Sequence, residues 1–379
     1  MSYQEIIKSN QYFINSTFEK LDNKLSRTAV DSRYKIPYTT INGVHDDKKE
    51  SNITWWTNGF WGGLMWLMYI ATKKDCYKIT AEESEKILDK AFSRMEWLDH
   101  DVGFTWHILS GVNYRLTGSV DSKNRNLIAA MSLMSRYNID GEFIRCWNYN
   151  FDTDVSGWSI IDCMMNLPLL YWASDVVKDE RFKKVAMRHA DMTLKDHIRE
   201  DGSVNHIVMH DTNKPNTVLG VHKGQGYSET SCWSRGASWA LYGFVISYIH
   251  TKEQRYLDTA IKVADNFIKE TEKTNWLPRI DFKQPKMDKY YDSTAGAIAS
   301  CGLIELAKIL DNDEYLTSAI NILKAMDKAW CNYESNEDSI LQNGSSSYER
   351  REMPMPIIYG DYFFVEAMLK LKGEEFLPW

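Results

Sequence analysis

The 379-residue chain lacks the marks of several protein classes. Its six cysteines (Cys76, Cys146, Cys163, Cys232, Cys301 and Cys331) are widely spaced, and no Cys-x-x-Cys pair points to zinc or redox chemistry. Several lie in apolar patterns, so free buried thiols in a reducing compartment are expected, and with them a cytoplasmic location. No long run of Lys and Arg occurs and the formal net charge is −7. Nucleic acid, which must be held by clustered cations, is therefore not an expected partner. The first ten residues show no charged-then-apolar leader. The most apolar run, residues 60–71, is too short to cross a bilayer, so no membrane partner is expected. A serine nucleophile elbow, a Walker sequence and His-Glu-x-x-His are all missing. The Gly-rich stretch Gly220-Val221-His222-Lys223-Gly224-Gln225-Gly226 follows no strand pattern and fails the phosphate-binding fingerprint. Neither a nucleotide nor any other cofactor is expected.

What the chain has in excess is aromatic surface: 14 Trp and 21 Tyr. Exposed indoles bind sugar rings by apolar stacking, which favours carbohydrate. Large helical cores also consume aromatics, so composition alone leaves both readings open. The remaining composition, 44% hydrophobic and 26% charged, is ordinary for a globular chain.

Apolar residues recur at three- and four-residue spacing almost throughout. The pattern predicts about twelve helices, over roughly 4–24, 57–73, 81–98, 104–117, 121–137, 159–175, 179–197, 233–250, 253–273, 293–310, 313–331 and 360–372. A weak repeat pairs them: Phe182 with Ala186, Tyr256 with Ala260 and Tyr315 with Ala319 each place an aromatic one turn before an alanine. Six such hairpins predict an all-α, closed (α/α)6 toroid, one domain spanning 1–379, with loops gathered around a central pocket. The loops 138–158, 199–230 and 332–358 are long enough, at more than about 15 residues, to expect function there.

Two carboxylates stand out. Asp162 lies within Ser159-Ile160-Ile161-Asp162-Cys163-Met164-Met165, so apolar a helical pattern that an unpaired charge there is costly. Such a setting favours the protonated carboxyl, which suits a general acid; a structural cap for a neighbouring loop is the other reading. Asp101 closes the turn Asp99-His100-Asp101-Val102-Gly103, where capping is the ordinary role. A metal is not expected, because one turn rarely supplies a full ligand set. Arg235 and Trp239, four apart on one helical face, are expected to give a guanidinium and an indole to one pocket, a fit for an acidic sugar.

Several segments, in order and spacing, resemble glycoside hydrolase family 88, the unsaturated glucuronyl hydrolases. They are Thr57-Asn58-Gly59-Phe60-Trp61, Asp99-His100-Asp101-Val102-Gly103-Phe104, Ile160-Ile161-Asp162-Cys163, Gln225-Gly226-Tyr227-Ser228, Trp233-Ser234-Arg235-Gly236, Asp292-Ser293-Thr294-Ala295 and Tyr359-Gly360-Asp361-Tyr362. The resemblance implies hydration of the C4=C5 double bond that polysaccharide lyases leave in the non-reducing uronic acid of an oligosaccharide. The hemiketal formed then collapses and releases the remaining sugar. By position, Asp162 resembles the residue that protonates C4 and then helps deprotonate the attacking water, and Asp101 the second essential carboxylate. His206, Gln225, Arg235 and Trp239 match pocket residues, as do Trp61 and Trp147. Gly224 stands where the family often has His or Arg, and Ser346 and Arg351 match part of a cluster found in members that accept sulfated substrates. The alternatives are an unsaturated rhamnogalacturonyl hydrolase acting on pectin fragments and a non-catalytic carbohydrate-binding helical protein. Oligomeric state is not set by any of these features.

Overall fold

The structure, a computed structural model, describes residues 2–148 and 153–379. Twelve helical stations alternate between an outer and an inner ring. The outer ring comprises α2 (Gln11–Asp31), α4 (Asp75–Leu88), α6 (Val120–Ser135), α8 (Glu180–Asp196), α10 (Gln254–Glu272) and α12 (Asp313–Trp330). The inner ring comprises α3 (Phe60–Thr72), a π-wound segment (Gly103–Gly111) running into α5 (Val112–Thr117), α7 (Leu167–Val177), α9 (Ser234–Thr251), α11 (Ser293–Leu310) and α13 (Ile358–Leu371). A short α1 (Tyr3–Ser9) packs on α12, and α13 closes the circle by packing on α3. This is the six-hairpin toroid that the periodicity predicts.

Sequence separates the two rings. Inner helices are mostly apolar because they are covered on nearly every side: all 14 residues of α13 are buried, its Asp361, Glu366 and Lys370 each with hydrogen-bond partners. The apolar 18-residue α11 has the length and composition to cross a membrane, yet 78% of it is buried inside the ring, which accounts for its character. Outer helices keep one apolar stripe, as in α10, where Tyr256, Ala260, Val263, Ala264 and Phe267 face inward. The aromatic-then-alanine repeat marks this stripe, and it has a fourth member, Tyr77 with Ala81 in α4. Three of its hydroxyls also reach the preceding outer helix: Tyr77 donates to Asp22 (2.7 Å), Tyr256 to Asp191 (3.0 Å) and Tyr315 to Asp265 (2.9 Å). Each such bond contributes on the order of 1 kcal/mol.

Three expectations need correction. The 81–98 pattern is α-helical only to Leu88, after which Asp89–Trp97 winds as 3-10 with a break at Arg94. The 159–175 pattern is not one helix: Trp158–Ile160 forms a strand, Ile161–Met165 a 3-10 turn, and only then does α7 begin. Pro168 explains the break, since it lacks the N–H that a helix running through from residue 159 would require. The 199–230 loop also contains two strands. Numbering strands along the chain, β1 (Thr40–Ile41) pairs with β2 (Val44–His45), and β3 (Tyr137–Asn138) with β4 (Phe143–Ile144). The largest sheet joins β5 (Trp158–Ile160), β6 (Ile207–His210) and β7 (Val218–His222), antiparallel throughout. Residues 149–152 of the 138–158 loop lie outside the described residues.

Candidate active site

The segments just ahead of the N-termini of α3, the π-wound segment, α7 and α9 converge on a cavity of about 500 Å³. Its wall includes Asn52, Thr54, Trp55, Trp56, Trp97, Asp99, His100, Asp101, Trp147, Ile160, Asp162, Gln225, Trp233 and Arg235. Helix N-termini carry partial positive charge, so this end of the ring favours an anion although the chain as a whole is acidic.

The β5–β6–β7 sheet positions the centre of the site. Antiparallel pairing of Ile160 with Ile207 sets His206 beside the turn that carries Asp162, and the Ile161 N–H donates to the His206 carbonyl (3.0 Å). Pairing of Ile207 with His222 then brings residues 223–225 across His206. The Gln225 backbone N–H donates to Nδ1 of His206 (3.2 Å). The Lys223 carbonyl lies 3.3 Å from the same nitrogen, but a backbone N–H of fixed direction needs a lone pair there, so Nδ1 is the bare nitrogen and Nε2 carries the proton. Nε2 lies 3.5 Å from Asp162 Oδ1 without a hydrogen bond between them, while the ring stacks on Trp233 at 4.3 Å. Gly224 makes this possible: its φ is +53°, and a Cβ would come within 2.5 Å of the imidazole.

Asp162 is 9% exposed, and its Oδ1 has no hydrogen-bond donor among the described residues. An unsatisfied buried oxygen on a cavity wall is a group prepared for a ligand or a proton. Asp101, 8% exposed, accepts from the Asn166 side-chain amide (3.1 Å) and lies 3.2 Å from His100 Nε2. Burial, followed by the like charges of Asp99 and Asp162, pushes its carboxyl well above the usual carboxylate range. Asp99, His100 and Asp101 each offer an atom within 4.8 Å of the others. One Asp99 oxygen, however, is occupied by the Asp101 N–H and His100 Nδ1 by the Cys146 carbonyl, so three atoms from one turn do not make an open metal shell.

Arg235, in the first turn of α9, lines the cavity but is 3% exposed. Its Nη1 pairs with Asp292 (2.6 Å) and reaches Thr294 and the Ser345 carbonyl; Nη2 reaches the Ser346 carbonyl at 3.1 Å. The guanidinium lies over Trp233 (4.3 Å) and near Tyr359 (5.5 Å). Arg235 therefore ties α9 to the N-cap of α11 and to the loop before α13, while its charge remains beside Asp162.

Of the residues expected from sequence, Asp101, Asp162, Trp147, Gln225 and Arg235 meet at the cavity, and His206 stands directly behind Asp162. Trp61 and Trp239 do not. Both are 0% exposed, Trp61 against His45 and Trp239 among Phe104, Tyr359 and Phe363. Trp239 lies one turn deeper along α9 than Arg235, so the shared helical face runs from the cavity into the core. These two indoles cannot stack on a sugar. Ser346 contributes its carbonyl to Arg235, and Arg351 stacks over Tyr348 (4.8 Å); neither lines the cavity. Trp55, Trp56, Trp97, Trp233 and His100 were not anticipated. Their signal was position: each precedes an inner helix rather than lying within one.

Similarity to known proteins identifies the family. The model of Glycosyl Hydrolase Family 88 matches residues 32–249, more than half of the chain. The chain belongs to glycosyl hydrolase family 88. It is a glycoside hydrolase. This family member is 31% identical to the unsaturated glucuronyl hydrolase of Bacillus sp. (strain GL1) over 84% of the chain and 86% of that protein. It is 30% identical to the unsaturated chondroitin disaccharide hydrolase of Streptococcus pneumoniae over 86% and 84%. Its fold matches the crystal structure of the Bacillus sp. GL1 enzyme, described as responsible for the degradation of glycosaminoglycan. The TM-score is 0.85 at 27% identity, covering 93% of this chain and 96% of that one.

Proposed function

We propose that this family 88 enzyme removes the unsaturated uronic acid from the non-reducing end of lyase-generated, glycosaminoglycan-type oligosaccharides by hydrating its C4=C5 double bond. The observation that carries the reading is Asp162: an unpartnered carboxyl oxygen on a Trp-lined cavity, flanked by Asp101 and the Arg235 charge. Asp162 transfers its proton to C4, and positive charge develops at C5 next to the ring oxygen. The resulting carboxylate then takes a proton from the water that adds to C5, restoring the acid. The hemiketal opens to a C5 ketone, and the hemiacetal so formed at C1 expels the remaining sugar. No carboxylate attacks the anomeric carbon, so the carboxyl-separation rule for retaining and inverting enzymes does not apply.

In this reading Asp101 and Gln225 accept and donate to substrate hydroxyls. His206 backs Asp162 from 3.5 Å, and Trp55, Trp97 and Trp147 offer apolar faces to sugar rings. Trp97, 58% exposed, and Trp55, 36% exposed, stand at the mouth, where a second sugar would emerge. A panel of lyase-generated disaccharides of glycosaminoglycan and pectin origin, followed by loss of the double-bond absorbance, tests the substrate class. Faster turnover of the pectin products would replace this reading with the rhamnogalacturonyl one. We also place the enzyme in the cytoplasm. All six cysteines are unpaired and four are buried, which suits a reducing compartment, and cell fractionation tests it.

A further inference from the structure

Asn166 stands at the N-cap of α7, where a short polar side chain ordinarily turns back to satisfy the first N–H groups of its own helix. It makes no such bond. Pro168 in the first turn already removes one of those N–H groups, and the Asn166 side chain reaches across to the turn that carries Asp101. Its orientation is fixed. The Phe104 backbone N–H, which can only donate, reaches Oδ1 at 2.9 Å, so the amide nitrogen is the atom that faces Asp101. Nδ2 donates to Asp101 Oδ1 at 3.1 Å and to the Asp162 backbone carbonyl at 3.4 Å. The Asn166 backbone N–H closes the same turn on the Cys163 carbonyl (2.9 Å).

We propose that Asn166 is a positioning residue that sets the Asp101 carboxyl against the turn carrying Asp162, and that residue 103 is glycine to admit it. A Cβ on Gly103 would come within 2.5 Å of Asn166 Oδ1 and 2.9 Å of its Cα, so any other residue would push the brace out of place. Asn166 is 0% exposed, so substrate cannot reach it and it acts only through the two aspartates.

The site needs such a brace. Asp99, Asp101 and Asp162 share one cavity wall, and mutual repulsion favours rotation of an untethered carboxyl away from its neighbours. Asn166 supplies the hydrogen bond that the Asp101 carboxyl accepts among the described residues. That donor is itself anchored twice, by the first residues of the π-wound segment and by the N-cap of α7. The spacing of the two acidic turns is therefore set by buried elements of the inner ring. The catalytic benefit rests on the proposed roles of Asp101 and Asp162, whereas the hydrogen bonds do not.

A double-mutant cycle on kcat/KM for an unsaturated disaccharide, run at high enzyme concentration, tests the role. Asn166→Ala should lose about 10²-fold, the cost of a reacting group held about 1 Å out of place. In the Asp101→Asn background the same substitution should cost less than about threefold, because the group it positions is already gone. Gly103→Ala should imitate Asn166→Ala and add little to it. Should Asn166→Ala fail to fold, Asn166→Asp takes its place: it keeps the acceptor for the Phe104 N–H and turns an oxygen toward Asp101. A folded Asn166 variant within about threefold of wild type overturns the proposal. So does an equal loss in both backgrounds, which is what a purely structural role would give. A second readout needs no substrate. In ¹⁵N-asparagine-labelled protein the Asn166 amide signals, assigned by their loss in Asn166→Ala, should shift in Asp101→Ala; unmoved signals overturn the proposal. Inactivity of the wild-type protein toward every unsaturated uronide, with those signals shifting, refutes the substrate reading and leaves the brace supported.

Discussion

Arg235 offers the sharpest separation between building a site and binding a ligand. Replacing it by Met keeps much of the side-chain volume over Trp233 but removes the cation. Asp292, 0% exposed, then keeps a carboxylate without its partner, and the carbonyls of Ser345 and Ser346 lose their donor. Breaking a buried ion pair on one side costs about 3–5 kcal/mol. In a chain of this size that corresponds to a Tm loss of roughly 4–6 °C. Arg235→Lys should lose about half as much, because one ammonium cannot serve acceptors spread across a fork. Adding Asp292→Asn to Arg235→Met should recover about 1–3 kcal/mol, since the stranded charge is gone. Thermal and urea unfolding of the three variants, with kcat/KM alongside, decide the matter. A stable Arg235→Met protein that differs from wild type only in KM would refute the reasoning and return Arg235 to the role of a simple ligand.

Other consequences can be measured alongside. Asp162→Asn should fold normally and lose about 10²–10⁴-fold in kcat, the usual contribution of an acid–base group. Trp61→Ala and Trp239→Ala should each destabilise by about 3–5 kcal/mol in urea unfolding, as cavities in a packed core do. Trp97→Ala should instead raise KM while stability stays within about 0.5 kcal/mol of wild type. Acid should unfold the protein through its histidines. His197 and His210, which flank Ser159 at 2.8 Å on either side, are lowered by burial to about 3 and about 4, and His45 likewise to about 4. Above the unfolded-state value of 6.5 both states are neutral and stability is unaffected. As pH falls from 6.5 toward 4 only the unfolded chain gains these protons, and each histidine removes about 1.4 kcal/mol per pH unit. Asp361, raised by burial to about 7, acts in the opposite sense. Eight histidines are lowered against four raised carboxyls (Asp101, Asp196, Asp361 and Glu366), so the net slope is toward acid instability. A Tm that stays flat down to pH 4.5 would contradict this.

Periodicity carried the ring because each outer helix must keep one apolar stripe and each inner helix must be apolar over most of its surface. It could not reveal the β5–β6–β7 sheet. Three residues of strand followed by a 3-10 turn leave the same run of apolar letters as a buried helix, and Pro168 was the one local sign of the break. The carboxylates were legible because acidic residues are rare in apolar stretches. The tryptophans were not, because an indole reads the same in a core as on a wall. What separates Trp55, Trp97 and Trp233 from Trp61 and Trp239 is that the first three precede inner helices and the last two lie inside them. Arg235 shows the same limit: its i, i+4 relation to Trp239 was real, but the face they share points from cavity to core.

Asp162 acts on the double bond, whose absorbance reports the reaction directly. An unsaturated glycosaminoglycan disaccharide should lose its ultraviolet absorbance on mixing with the wild-type protein, in step with release of the reducing-end sugar, and should keep it with Asp162→Asn. Undiminished turnover by the Asp162→Asn protein, or release of the sugar with the double bond intact, would contradict it.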